Sequence, residues 1–119
     1  MSRSILIVDD EYGLADMLSM LLETRGFECT VAIDGALGLA QLEKKRFSLV
    51  LTDVMMPRMD GLEMVRRMRA LDHLADVPVI VMTAVPSGVS PHERALVQGV
   101  LAKPFGQAEL ARAIELVLA

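Results

Sequence analysis

Ser4-Ile5-Leu6-Ile7-Val8-Asp9-Asp10-Glu11-Tyr12-Gly13 is the stretch that decides the fold. An unbroken apolar run, Ile5 to Val8, passes directly into three acids, Asp9, Asp10 and Glu11. A short apolar run without alternation reads as a strand buried on both faces, the habit of a parallel sheet covered by helices. A buried strand that ends in repelling charges implies an edge where something positive belongs.

The rest of the chain repeats the theme. Residues 12–24 set Leu14, Met17, Leu18, Leu21 and Leu22 on one helical stripe, and Gly26 closes it. Cys29–Ala32 reads as a second strand. Asp34 caps a helix through Lys45, with Leu37, Ala40 and Leu42 inward. Ser48–Thr52 is a third strand, followed by the loop DVMMPRMDG. Asp60 and Glu63 make an acidic capping box for a helix to about Leu71. Residues 77–83, VPVIVMT, form a fourth strand. Ser90-Pro91-His92-Glu93 starts a short helix that stops near Gly99. Val100–Ala102 is a minimal fifth strand. Gly106 and Glu109 open a last helix with Leu110, Ile114, Val117 and Leu118 inward. Five strands alternating with five helices predict an α/β, doubly wound parallel sheet with helices on both faces.

Composition bounds the function. The chain has 119 residues, room for one domain, and is 53% hydrophobic, enough for a core without staples. Its net charge of −4, with both signs interspersed, argues against a nucleic-acid partner. The apolar run before Asp9 is too short for a signal peptide, and VPVIVMTAVP is too short and proline-broken to cross a membrane. The lone Cys29 reads as a buried, reduced thiol. The expectation is a cytoplasmic protein with no membrane partner. Nothing follows the last helix and the chain begins at Met1, so a complete, single-domain product over 1–119 without an output domain is expected.

In a parallel α/β sheet every strand's carboxyl end lies on one rim, where ligands bind. Strand one brings Asp9 and Asp10 there, strand three Asp53, strand four Thr83 and strand five Lys103. Three close carboxylates would raise one another's pKa and destabilise the fold. A hard divalent cation removes that penalty, and an all-oxygen ligand set suits Mg²⁺. Lys103 supplies a point charge and Thr83 a hydroxyl for a phosphoryl group, which makes Asp53 a candidate nucleophile. Each residue alone has a plainer reading. Asp9 and Asp10 could cap the first helix, Asp53 could serve a turn, Thr83 could end a strand and Lys103 could be a solvated charge. His73 and His92 read as surface residues, Met56 as core filler and the run Arg66–Arg69 as a solvated patch.

In order, the motifs ILIVDDE, LVLTDVMMPRMDGLE, VPVIVMTA and AKPF resemble the receiver domain of response regulators from two-component phosphorelays, the CheY-like family, over the whole chain. The resemblance implies a flavodoxin-like sheet in the order 2-1-3-4-5. It also implies a bacterial signalling phosphoprotein that takes a phosphoryl group from a sensor histidine kinase or a histidine phosphotransfer protein. Asp53 would then become a 4-aspartylphosphate. Asp10, Asp53 and the Met55 backbone carbonyl would ligate Mg²⁺ directly, with Asp9 acting through water. Lys103 would meet the phosphoryl group and Thr83 would be the switch hydroxyl. The Lys103–Pro104 peptide resembles one that is cis in the family. The domain would dephosphorylate itself slowly and would not be a turnover enzyme. Its signal would leave through an unknown downstream protein target or by onward phosphotransfer.

Three features depart from the family. Val100 stands where an aromatic is usual, three residues before the lysine; Gly99 runs directly into strand five; and AVPSGVSP lengthens the loop before helix four. They imply a remodelled fourth-helix face and favour, as the rival reading, an adaptor of the same fold that works without phosphorylation. An aspartate-dependent phosphatase on a similar sheet is excluded, because Met55 stands where its general acid would be.

Overall fold

In the computed structural model, which describes residues 3–119, β1 (Arg3–Val8) lies second in a five-stranded parallel sheet of order β2-β1-β3-β4-β5. Its neighbours are β2 (Phe27–Ala32) and β3 (Leu49–Asp53); β4 (Val79–Thr83) and β5 (Gly99–Ala102) complete the other side. Met1 and Ser2, and with them the reading of the chain's start, lie outside the described residues. The expected order and both-face burial hold. Leu6 and Val8 face one apolar cluster, while Ile5 and Ile7 face the other.

Helices α1 (Tyr12–Glu23) and α5 (Gln107–Leu118) bury Leu18, Leu22, Leu110 and Ile114 on the Ile5–Ile7 face. Helices α2 (Gly35–Lys44) and α3 (Gly61–Arg69) cover the opposite face with Leu42, Met64, Val65 and Met68. A single 3-10 turn, Pro86–Gly88, precedes α4 (Pro91–Arg94), whose start carries the full Ser90–Glu93 capping box.

Several expectations need correction. On α2, Leu37 and Ala40 point to solvent; the inward positions belong to Gly35, Gly38 and Leu42. A Cβ on Gly38 would come within 2.8 Å of Met64 Sδ and 3.2 Å of Val8 Cγ2, so α2 lies close against α3 and β1 at this position. On α1, Met17 is exposed and Ala15 takes its place inside. At α3, Asp60 Oδ1 accepts from Glu63 N (2.8 Å), but the Glu63 carboxylate turns to Arg66 and Arg67 instead of closing the box. Cys29 is half-buried. Its thiol is pushed up to about 11, by burial first and then by the charge of Glu23.

The run Arg66–Arg69 is not wholly solvated. Arg69 folds inward and donates from Nε to Leu96 O (2.9 Å) and from Nη1 to Ala75 O (3.1 Å) and Val77 O (2.9 Å). Its Nη2 reaches Gln98 Oε1 (3.2 Å), an oxygen that also accepts from Val79 N (2.8 Å). Burial lowers the Arg69 pKa from its ordinary value, with Asp76 opposing that shift. His73 is a surface residue as read, paired with Glu43 at 2.8 Å, and Met56 packs partly against the core.

Candidate functional site

Register builds the site. Val8 pairs with Thr52 across β1 and β3, so Asp9 and Asp53 emerge side by side at the point where the strand order reverses. Thr83 pairs with Ala102 across β4 and β5, and Lys103 N donates to Thr83 O at 2.8 Å. Carboxylate oxygens of Asp9, Asp10 and Asp53 all lie within 4.8 Å of one another. Lys103 Nζ stands 3.4 Å from Asp9 Oδ2 and 3.4 Å from Asp53 Oδ2. The Lys103–Pro104 peptide is cis.

Asp9 is completely buried and fixed twice, since its Oδ1 accepts from Glu11 N (2.9 Å) while Oδ2 faces Lys103. The first helix is capped at Glu11 without a side-chain bond, so neither Asp9 nor Asp10 serves as its N-cap. Asp53 is half-buried, and its Oδ1 accepts from Val54 N (2.9 Å). Burial raises the Asp53 pKa above the ordinary carboxylate value; Lys103 pulls it down and Asp9 pushes it further up. Thr83 Oγ1 accepts from Val85 N (3.0 Å), which leaves its O–H free to donate. Met55 lies in the loop after β3 with its side chain largely in solvent. Val100 is half-buried on β5.

Two glycines hold the loop that carries Met55. A Cβ on Gly61 would sit 2.0 Å from Asp53 O, so α3 begins in direct contact with the aspartate's own backbone. A Cβ on Gly35 would meet Met59 O at 2.8 Å. Arg58, in the same loop, pairs with the buried Asp34 at 2.7 Å. Sequence reasoning found Asp34 as a cap but missed Arg58, because a lone arginine in a loop gives no sign of its backbone conformation.

The donor set fits a small hard cation. Three carboxylates face one ammonium, which leaves excess negative charge in a half-buried cleft. Carboxylate oxygens gathered within 4.8 Å of one another are the kind of ligand that a hard divalent cation such as magnesium prefers. Beside Lys103, a groove of about 410 Å³ opens between α1 and the segment after β5, lined in part by Leu14, Met17, Ala84 and Phe105. No helix among the described residues is long and apolar enough to cross a membrane.

A family model described as response regulator receiver domain matches residues 5–115. The sensory transduction protein RegX3 of Mycobacterium tuberculosis is 43% identical over 86 residues, covering 72% of this chain and 37% of RegX3. The matched stretch is thus little more than a third of RegX3, and the chain spans about half of its length. Sporulation initiation phosphotransferase F of Bacillus subtilis is 39% identical over 84 residues, 71% of this chain and 66% of that protein. Among solved structures, chemotaxis response regulator CheY4 of Vibrio cholerae has a TM-score of 0.91 at 32% identity, covering 99% of this chain and 100% of that one. Response regulator TrrA of Thermotoga maritima, solved in complex with Mg²⁺-BeF, has a TM-score of 0.89 at 28% identity, covering 98% of this chain and 99% of its own.

Proposed function

The chain belongs to the response regulator receiver domain family of two-component systems, and on that premise we propose that it is a phosphoryl-accepting switch with Asp53 as the acceptor. The observation that carries the reading is the Lys103 ammonium, 3.4 Å from both Asp9 and Asp53 at the mouth of the three-carboxylate cluster. Receiver domains take their phosphoryl group from histidine kinases or phosphotransfer proteins, so the donor here is a phosphohistidine. A carboxylate oxygen of Asp53 attacks phosphorus; the P–O bond forms as the P–N bond breaks, and the imidazole nitrogen leaves with the electron pair. Lys103 offsets the charge on the phosphoryl oxygens, and the free O–H of Thr83 donates to one of them.

Asp10, Asp53 and the Met55 carbonyl, with Asp9 through water, would hold Mg²⁺, which when bound neutralises phosphoryl charge. The apolar groove beside Lys103 gives the donor's helix room to approach. The group is accepted once per chain and lost slowly to water, not turned over, and the signal passes to a protein partner by changed contacts or onward transfer.

The test is direct. Incubation with Mg²⁺ and acetyl phosphate, read by intact mass, should add one phosphoryl group to the wild type and none to Asp53→Asn. The shortened α4 and Val100 favour, as the second reading, an adaptor that needs no phosphorylation. A wild type that stays unlabelled would refute the first reading in favour of that one.

A further inference from the structure

The run from Val54 to Asp60 links the acceptor aspartate to α3 and carries Met55. Both of its ends are fastened: Val54 N donates to Asp53 Oδ1 (2.9 Å) and Val54 O accepts from Gly61 N (2.9 Å). Between them the chain makes a γ-turn. Met59 N donates to Pro57 O (2.8 Å) across Arg58, whose φ is 67°. That conformation suits glycine, and an L side chain there is strained.

An arginine nevertheless occupies the turn, and its guanidinium reaches back to α2. Arg58 Nε and Nη2 each lie 2.7 Å from Asp34 Oδ2. Asp34 is completely buried, and its other oxygen accepts from Leu37 N (2.8 Å), which caps α2. Hydrogen bonds to Leu37 and Arg58 hold its carboxyl below the usual range, so it stays ionised at neutral pH. Gly35 N donates to Met59 O (2.9 Å) beside the same contact. Strained residues of this kind persist where the surroundings over-determine them, and they gather at functional sites.

We propose that the Arg58–Asp34 ion pair is a positioning device for the metal site, bracing the Val54–Pro57 run against α2 so that the cleft is set for magnesium before the ion arrives. This rests on the reading of Asp9, Asp10 and Asp53 as magnesium ligands. Arg58 acts at one remove, because its partner is Asp34 and not one of those three. Outer partners that orient a metal site typically change affinity by about 10- to 100-fold.

Arg58→Gly separates the two roles the residue could have. Glycine relieves the backbone strain, so an arginine that merely formed the turn would be replaced without loss. The full-length chain is titrated with magnesium chloride by calorimetry, well below the melting temperature of each variant recorded in chelator. Arg58→Gly should bind about tenfold more weakly than wild type. Arg58→Lys should fall between them, since one ammonium replaces a two-nitrogen fork. Asp34→Asn, which keeps a capping oxygen, should match Arg58→Gly, and the double variant should be no weaker than either. If Arg58→Gly does not fold, Arg58→Lys and Asp34→Asn carry the comparison. Wild-type affinity in these variants, or additive losses in the double, would overturn the proposal and leave the site standing. A wild type that binds no magnesium would overturn the site and the proposal together.

Discussion

Replacing Gly61 by alanine tests the junction between the acceptor strand and α3. The new Cβ would lie 2.0 Å from Asp53 O, 2.8 Å from Thr52 Oγ1 and 3.1 Å from Asp53 C, with backbone that cannot rotate away. The first of these is more than an ångström short of ordinary contact, so the strand end or the helix start must shift. Overpacking of this kind costs about 3 kcal/mol. The better helix propensity of alanine offsets up to ~1 kcal/mol, leaving a net loss of about 2 kcal/mol. For a domain of this size that lowers the melting temperature by about 8 °C. With a urea m-value of about 1.5 kcal/mol/M, the midpoint falls by about 1.3 M. The shift displaces Asp53 itself, so labelling by acetyl phosphate should slow in the same variant. Gly13→Ala is the matched control: that helical glycine has nothing within 4 Å of an added Cβ. It should gain up to ~1 kcal/mol. If Gly61→Ala proves as stable as the wild type in urea, the close approach assigned to this glycine is wrong.

Two further outcomes follow from the site and the core. Lys103→Met removes the cation 3.4 Å from Asp9 and Asp53, so calorimetry should show magnesium binding roughly tenfold tighter, a charge a few ångströms away being worth on the order of 1–4 kcal/mol. Phosphoryl uptake in the same variant, followed by intact mass, should slow by at least about a hundredfold, and weaker magnesium binding would contradict the charge argument. With its thiol pushed from 9.0 to about 11, Cys29 should react with iodoacetamide at pH 8 on the order of a hundredfold more slowly than an unperturbed thiol. The fold favours the protonated form, so that contribution to stability is intact below the unfolded thiol's value and fades as pH rises through about 11. Fast alkylation of the native protein at pH 8 would refute it.

The strand ends were legible because each is a short apolar run stopped by a polar residue, and a parallel sheet gathers all such ends on one rim. That rim is where the chain carries Asp9, Asp10, Asp53, Thr83 and Lys103. The inward face of α2 was misread because hydropathy assigns weight to Leu37 and Ala40, whereas close packing selects Gly35 and Gly38, which have no side chain to announce themselves. Arg69 was misread for the opposite reason. Its charge signals solvent, but a guanidinium can be satisfied by several carbonyls at once, and only tertiary structure brings those carbonyls to it. Arg58 depends on a dihedral angle, and no residue name reports one.

The clamp made by Arg69 has a mechanical consequence for the shortened α4. Leu96 and Gln98 are tethered to the end of α3 and the start of β4, so the segment from Pro86 to Ala95 is pinned downstream. Upstream, Val85 N donates to Thr83 Oγ1 (3.0 Å). In between, Arg66 Nη1 of α3 stands 3.3 Å from Glu93 Oε2, and Val89 is buried, so the stretch is held along its length. With ties to α3, β4 and Thr83, the stretch after β4 is stitched to its neighbours, and a load applied at any one stitch is shared by the others.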